Sequence, residues 1–106
     1  MRRAVVPEVL LSLASFEPLV GSRFTLRLDQ ADGAAELPAR LVEARAGRGG
    51  APGGRQPFSL TFEAPPEPAL PQRTYRLEHP QLDAIDIFLV PVARSTAGLH
   101  YEAVFG

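Results

Sequence analysis

Two histidines, five serines and a scatter of carboxylates are the side chains in this 106-residue chain whose types suggest catalysis or metal binding. His79 and His100 stand far apart, and no H-x-H, H-x-x-x-H or H-E-x-x-H spacing occurs, so a metal site would exist only if folding converged them with acids. None of the serines lies in a G-x-S-x-G elbow, the context a nucleophilic serine needs on a tight turn. Glu63 and Glu102 form the one pair of carboxylates that suggests glycoside chemistry, and on strands of a small domain they read as ordinary solvated charges. Lys and Cys are absent. That removes side-chain Schiff bases, thiol nucleophiles, thiolate metal sites and disulfides. The expectation is therefore a protein without catalytic, cofactor-binding or metal-binding residues.

The segments that must position these groups are mostly strands. "SRFTLRLD" alternates, with Phe24, Leu26 and Leu28 on one face and Arg23, Thr25 and Arg27 on the other. "PFSLTFEA" repeats the pattern with Phe58, Leu60 and Phe62, and "RTYRLEHP" with Tyr75, Leu77 and His79. "LHYEAVF" sets Leu99, Tyr101, Ala103 and Phe105 inward and His100 outward beside Glu102. His79 closes its strand on the inner side before a proline, the position of a rim or cap residue. "ELPARLVEARA" is weaker, because the parity of Leu37, Ala39 and Leu41 then brings Glu43 inward, at a cost of several kcal/mol unless it is paired. A β-bulge near Pro38 would turn Glu43 out.

Before these strands, "SLASFEPLVG" spaces Leu13, Phe16 and Leu19 three apart, with Ser12 to cap and Pro18 and Gly21 to stop, and predicts a helical turn that Phe16 anchors to one end of the fold. "QADGAAE" supplies an Asp-Gly turn, and "GRGGAPGGRQP" a long hairpin loop over Gly47 to Gln56 that lacks the Gly-Lys-Ser/Thr of a phosphate loop. "PPEPALPQ" makes a stiff extended connection. "QLDA" and "RSTAG" mark the remaining turns. Turn signals about every ten residues predict a small antiparallel all-β barrel or sandwich of about six strands with a short N-terminal helix, joined by sequential hairpins. Residues 1–11 read as an N-terminal arm and 12–106 as a single β domain.

Eleven basic residues, all Arg, against twelve acidic ones leave a net charge of −1. No global field draws such a chain to nucleic acid or an anionic membrane. No run approaches the ~20 apolar residues that cross a bilayer, so no membrane insertion is expected. Pro7 and Glu8 interrupt the apolar start, which argues against a cleaved signal peptide. The lack of cysteine leaves the compartment open.

The stretches "FEPLVGSRFTL", "PFSLTFEAP", "LPQRTYRLEHPQL", "IFLVPV" and "YEAVF", spread from Ser12 to Phe105, resemble a family of short, uncharacterised bacterial all-β domains, a domain of unknown function. The resemblance implies no known activity or site residues. It implies a stand-alone β protein, with some members encoded near phage-tail-collar-like proteins and so a part in, or accessory to, a phage-tail-like or surface assembly. Asp83 departs from the small residue expected before "IFLVPV", which puts that turn's geometry in question, and the glycine loop is longer than expected.

One strand breaks the alternation. In "IDIFLVPV" the inward parity of Ile85, Ile87 and Leu89 leaves Phe88, Val90 and Val92 as a second apolar row. Cover could come from the N-terminal helix through Leu10, Leu11 and Leu13, from a second sheet, or from a partner. Pro91 favours an edge strand, where docking or augmentation is open. Phe88, Val90 and Val92 are thus the candidate interaction face. The expected function is a non-catalytic structural or protein-docking module that binds a protein partner or forms a homo-oligomer, with a small-molecule or sugar-binding β-barrel as the alternative. An interior filled by Phe and Leu would count against the latter.

Overall fold

Alternation of large apolar with polar side chains, repeated in six segments, leaves each strand one face to bury, and antiparallel closure buries all six at once. A computed structural model describes residues 11–30, 33–48 and 56–105. The strands are β1 (Arg23–Gln30), β2 (Gly33–Ala46), β3 (Phe58–Ala64), β4 (Arg73–His79), β5 (Leu82–Ser95) and β6 (Gly98–Phe105), and they form a closed barrel in the order β1-β2-β3-β6-β5-β4. Every ladder is antiparallel. The barrel is the first of the two expected architectures, and closure leaves no strand with the wholly free edge that a sandwich keeps.

The order departs from sequential hairpins at one place. β3 pairs with β6 and not with β4, so residues 65–72 cross the end of the barrel. A proline-rich run is suited to this span because it stays extended without a ladder to hold it. Its two anchors come from aromatic hydroxyls: Leu70 N–H donates to Tyr101 Oη at 2.9 Å, and Tyr75 Oη–H donates to the Pro71 carbonyl at 2.6 Å. Leu70 itself is buried. Burial pushes the Tyr75 hydroxyl's pKa up from its ordinary value.

The opposite end is closed by α1 (Leu13–Phe16), which runs into a 3-10 turn at Glu17–Leu19. Ser12 N–H donates to Ser15 Oγ at 3.1 Å, so the first turn is held by the residue three positions on. Phe16 is fully buried, with its ring 5.9 Å from both Phe58 and Phe105, which stack on each other at 4.6 Å. In the interior Phe24 meets Phe62 edge-on at 5.3 Å. Tyr101, Leu26, Leu60 and Leu77 fill the space around them. The inward aromatics are thus core.

Three expectations about strand parity need correction. Pro38 pairs regularly with Thr25, and the bulge lies instead at Val42, where the β2–β3 register shifts between Leu41 and Glu43. Glu43 therefore turns outward and meets Arg45, two residues on and on the same face, at 3.3 Å. Pro91 does not mark an edge: β5 lies between β4 and β6, with Pro91 opposite Tyr101 and a register shift before Ala93. A bulge tolerates the missing donor as an edge does. Asp83 sits within β5, and the preceding turn is Pro80 and Gln81, closed by His79 opposite Leu82.

The β1–β2 ladder ends at Gln30 opposite Gly33, and residues 31–32 of the expected Asp-Gly turn lie outside the described residues. Most of the Gly47 to Gln56 loop, and residues 1–10 of the arm with Leu10, also lie outside them. The base of the loop is closed by Gly47 N–H donating to the Pro57 carbonyl at 2.7 Å.

Candidate functional site

Three groups of side chains can be asked for chemistry: the rim around His79, the outer row through Glu63, and the second apolar face of β5.

At the rim, His79 Nε2 lies 3.1 Å from Ser22 Oγ, the pairing from which a hydrolase would start. The rest of the geometry excludes that use. Gln81 N–H donates to His79 Nδ1 at 3.0 Å, so Nδ1 is an acceptor and the proton of the neutral ring sits on Nε2. Nε2–H then donates to Ser22 Oγ, whose own proton goes to the Leu19 carbonyl. The imidazole is therefore not placed to take the serine's proton. It packs 4.5 Å from the Phe24 ring and ties the β4 end to the turn before β1, the rim role expected of it.

Burial pushes the pKa of His79 below the ordinary value of 6.5. The unfolded chain thus binds a proton at a higher pH than the fold does. The resulting stabilisation is complete above pH about 6.5 and is lost as pH falls from there through the folded value. We expect the ring titration of His79, followed by proton–nitrogen NMR, to have its midpoint below the ordinary histidine value. A midpoint at or above it would contradict the neutral-ring network.

On the outer surface Arg40, Glu63 and His100 form one row across β2, β3 and β6, since Arg40 lies opposite Glu63 and Glu63 opposite His100. Arg40 Nη2 donates to Glu63 Oε1 and His100 Nε2 to Oε2, each at 3.0 Å. The His100 hydrogen bond, followed by that of Arg40, lowers the Glu63 pKa below 4.5. A glycosidase acid needs the opposite shift. His100, placed beside Glu102 by sequence parity, thus makes its contact across the ladder to Glu63. Because the folded pKa is lowered, the row stabilises the fold above pH about 4.5 and loses that effect as pH falls through the folded value. Thermal melts from pH 6 to pH 3 should show a fall in midpoint that Glu63→Gln makes shallower, and identical slopes would contradict the assignment. Among the described residues no three His, Asp or Glu side chains converge as a cation site would require.

The β5 row is where the second apolar face was expected. Phe88 is 50% exposed and Val92 51%, with Val90 partly covered. Val92 is the extra residue at the β5 bulge, between Pro91 opposite Tyr101 and Ala93 opposite His100. Sequence reasoning missed Val104 on β6, which is 72% exposed; continuing the Val90–Glu102 register would bring it opposite Phe88. The signal was available in the outward parity of Val104, one residue from the buried Phe105. Helix cover is overturned for the described residues: Leu11 belongs to the buried core cluster and Leu13 packs against it. A second sheet is likewise overturned, because all six strands belong to one closed barrel.

No helix among the described residues is long and apolar enough to cross a membrane. Comparison with known proteins returned no matching curated protein and no matching solved structure. A family model, DUF6916, described as a domain of unknown function, matches residues 11–105. That span runs from the buried Leu11 to the stacked Phe105 and takes in the helical plug and all six strands, so the chain belongs to the DUF6916 family.

Proposed function

We propose that this domain is a non-catalytic docking module that presents the outer face of β5 and β6 to a protein surface, as part of or accessory to a phage-tail-like or surface assembly. The observation that carries the reading is the gathering of Phe88, Val92 and Val104, three of the four large exposed apolar side chains among the described residues, on two neighbouring strands. Solvated strand faces are normally polar, and an apolar row left open favours aggregation. The row alone is small beside the ~800 Å² per partner of a stable interface. The contact must extend over its polar rim, where Asp86, Arg94 and Glu102 stand. Closure of the barrel makes this a face-to-face contact and not strand addition to β5. A ligand inside the barrel, the alternative reading, would have to displace the buried Phe24, Phe62 and Tyr101.

Phe88→Asp tests the reading. With half its side chain in solvent, Phe88 contributes little to the core, so the variant's thermal midpoint should stay within a few degrees of the parent. The parent is expected to self-associate through this face in sedimentation equilibrium, and the variant to be monomeric. A variant unchanged in both stability and oligomeric state would remove the main support for docking through this face.

A further inference from the structure

The barrel closes unevenly. β1 and β4 share only three residue pairs, Thr25–Glu78, Leu26–Leu77 and Arg27–Arg76, against five to eight at each of the other interfaces. The next pair in that register would be Leu28 with Tyr75, and it does not form. Beyond Arg27 each strand continues with its outer neighbour only: Leu28 to Gln30 with β2, and Arg73 to Tyr75 with β5. Their facing backbone edges have no ladder partner among the described residues. A groove of about 780 Å³ lies at this seam, lined by Leu28, Leu70, Pro71, Arg73, Thr74 and Tyr75 among others. That volume is within the range of ligand-binding clefts.

The charges at the groove are unequally satisfied. Arg27 bridges Glu36 and Glu78, and Arg76 meets Asp86 at 3.3 Å. Arg73, exposed at the mouth, has no carboxylate within ion-pair distance among the described residues. Unpaired strand edges accept an extended chain through main-chain hydrogen bonds, and a guanidinium takes a carboxylate with two parallel ones. We propose that the β1–β4 seam is a docking groove for an extended segment of a partner protein that carries an Asp or Glu side chain for Arg73. The segment adds as a short strand between the diverging ends of β1 and β4, over a floor made by Leu70 and Pro71. The site lies between β1 and β4 and does not rest on the β5–β6 face, which it meets only at its edge, at Asp86.

The test is selection of random heptapeptides displayed on phage against the full chain, followed by titration of the best synthetic peptide. Enriched sequences should carry an Asp or Glu within a run of β-branched residues. The peptide should shift the amides of residues 28–30 and 73–75 in proton–nitrogen spectra. Arg73→Ala should weaken binding by about tenfold or more, the loss expected for a charge-assisted pair, with an unchanged thermal midpoint because Arg73 is exposed. Val104→Asp, on β6 and away from the groove lining, should bind as the parent does, which separates this site from the β5–β6 face. The proposal is overturned if no family of peptides is enriched, if the peptides lack a carboxylate or bind Arg73→Ala equally, or if the shifts map to β5 and β6. Equal shifts from succinate alone would also overturn it, since they would assign the groove to small carboxylates.

Discussion

A chain ending at Gly98 is expected to show no cooperative unfolding transition and a collapsed amide spectrum. β6 is terminal in sequence and central in the barrel, with seven pairs to β3 on one side and five to β5 on the other. Its loss turns both neighbours into free edges, which aggregate readily. It also takes Leu99, Tyr101, Ala103 and Phe105 out of the core. Burial of the two aromatics alone stabilises by roughly 1.5–3 kcal/mol each, a large share of the 5–15 kcal/mol that holds a small domain together. Two remote parts fail with it. Tyr101 Oη is the acceptor for Leu70 N–H, so the crossing segment loses an anchor. Phe105 is half of the stacked pair on which Phe16 seats the helical plug. Circular dichroism on heating and a proton–nitrogen spectrum check the prediction. Dispersed amides would mean that five strands close without β6.

The strands were legible because each inward row is written at a period of two, and Phe24, Leu26 and Leu28, or Phe58, Leu60 and Phe62, have no other reading. The plug was legible for a similar reason, since Phe16 had no strand to belong to. What escaped depends on pairs distant in sequence. The crossing from β3 to β4 looks the same in sequence as a hairpin connection, because a proline run is extended in either case. Its anchors, Tyr101 on Leu70 and Tyr75 on Pro71, exist only once the barrel is closed. Glu43 did announce a bulge, and parity also places it: a bulge at Pro38 would turn Ala39 and Leu41 outward with Glu43, whereas one at Val42 keeps both buried and turns out Glu43 alone. Pro91 points to an edge strand, and the expectation fails because a bulge tolerates the missing donor equally and the register shift after Pro91 leaves no mark in the sequence. The Arg40–Glu63–His100 row follows from the registers of two ladders at once, and the open seam from where one ladder stops. The outward residues of β5, by contrast, were readable from parity alone.

Gly98→Ala is expected to be much more damaging than Gly21→Ala. Gly98 opens β6, is buried, and has φ of 153°. A Cβ built there would lie 2.1 Å from the Ala64 carbonyl oxygen and 3.1 Å from its carbon. Neither atom is the free end of a side chain. Ala64 closes β3 and is paired with Leu99, the residue next to Gly98, so relief requires the two strands to separate where the ladder begins. Gly21 supplies the control. Its φ of 94° also disfavours a side chain, yet a Cβ there meets nothing within 4 Å. Gly21→Ala should therefore cost only the backbone term, about 1–2 kcal/mol. Gly98→Ala adds overpacking against main chain, for a total of about 3–5 kcal/mol. In a domain of this size that difference separates the two melting midpoints by roughly 10–20 °C. Denaturant titration of both variants beside the parent measures it. Equal losses would show that the start of β6 yields to a methyl group, and that close approach of the β3 and β6 backbones is not what requires glycine at position 98.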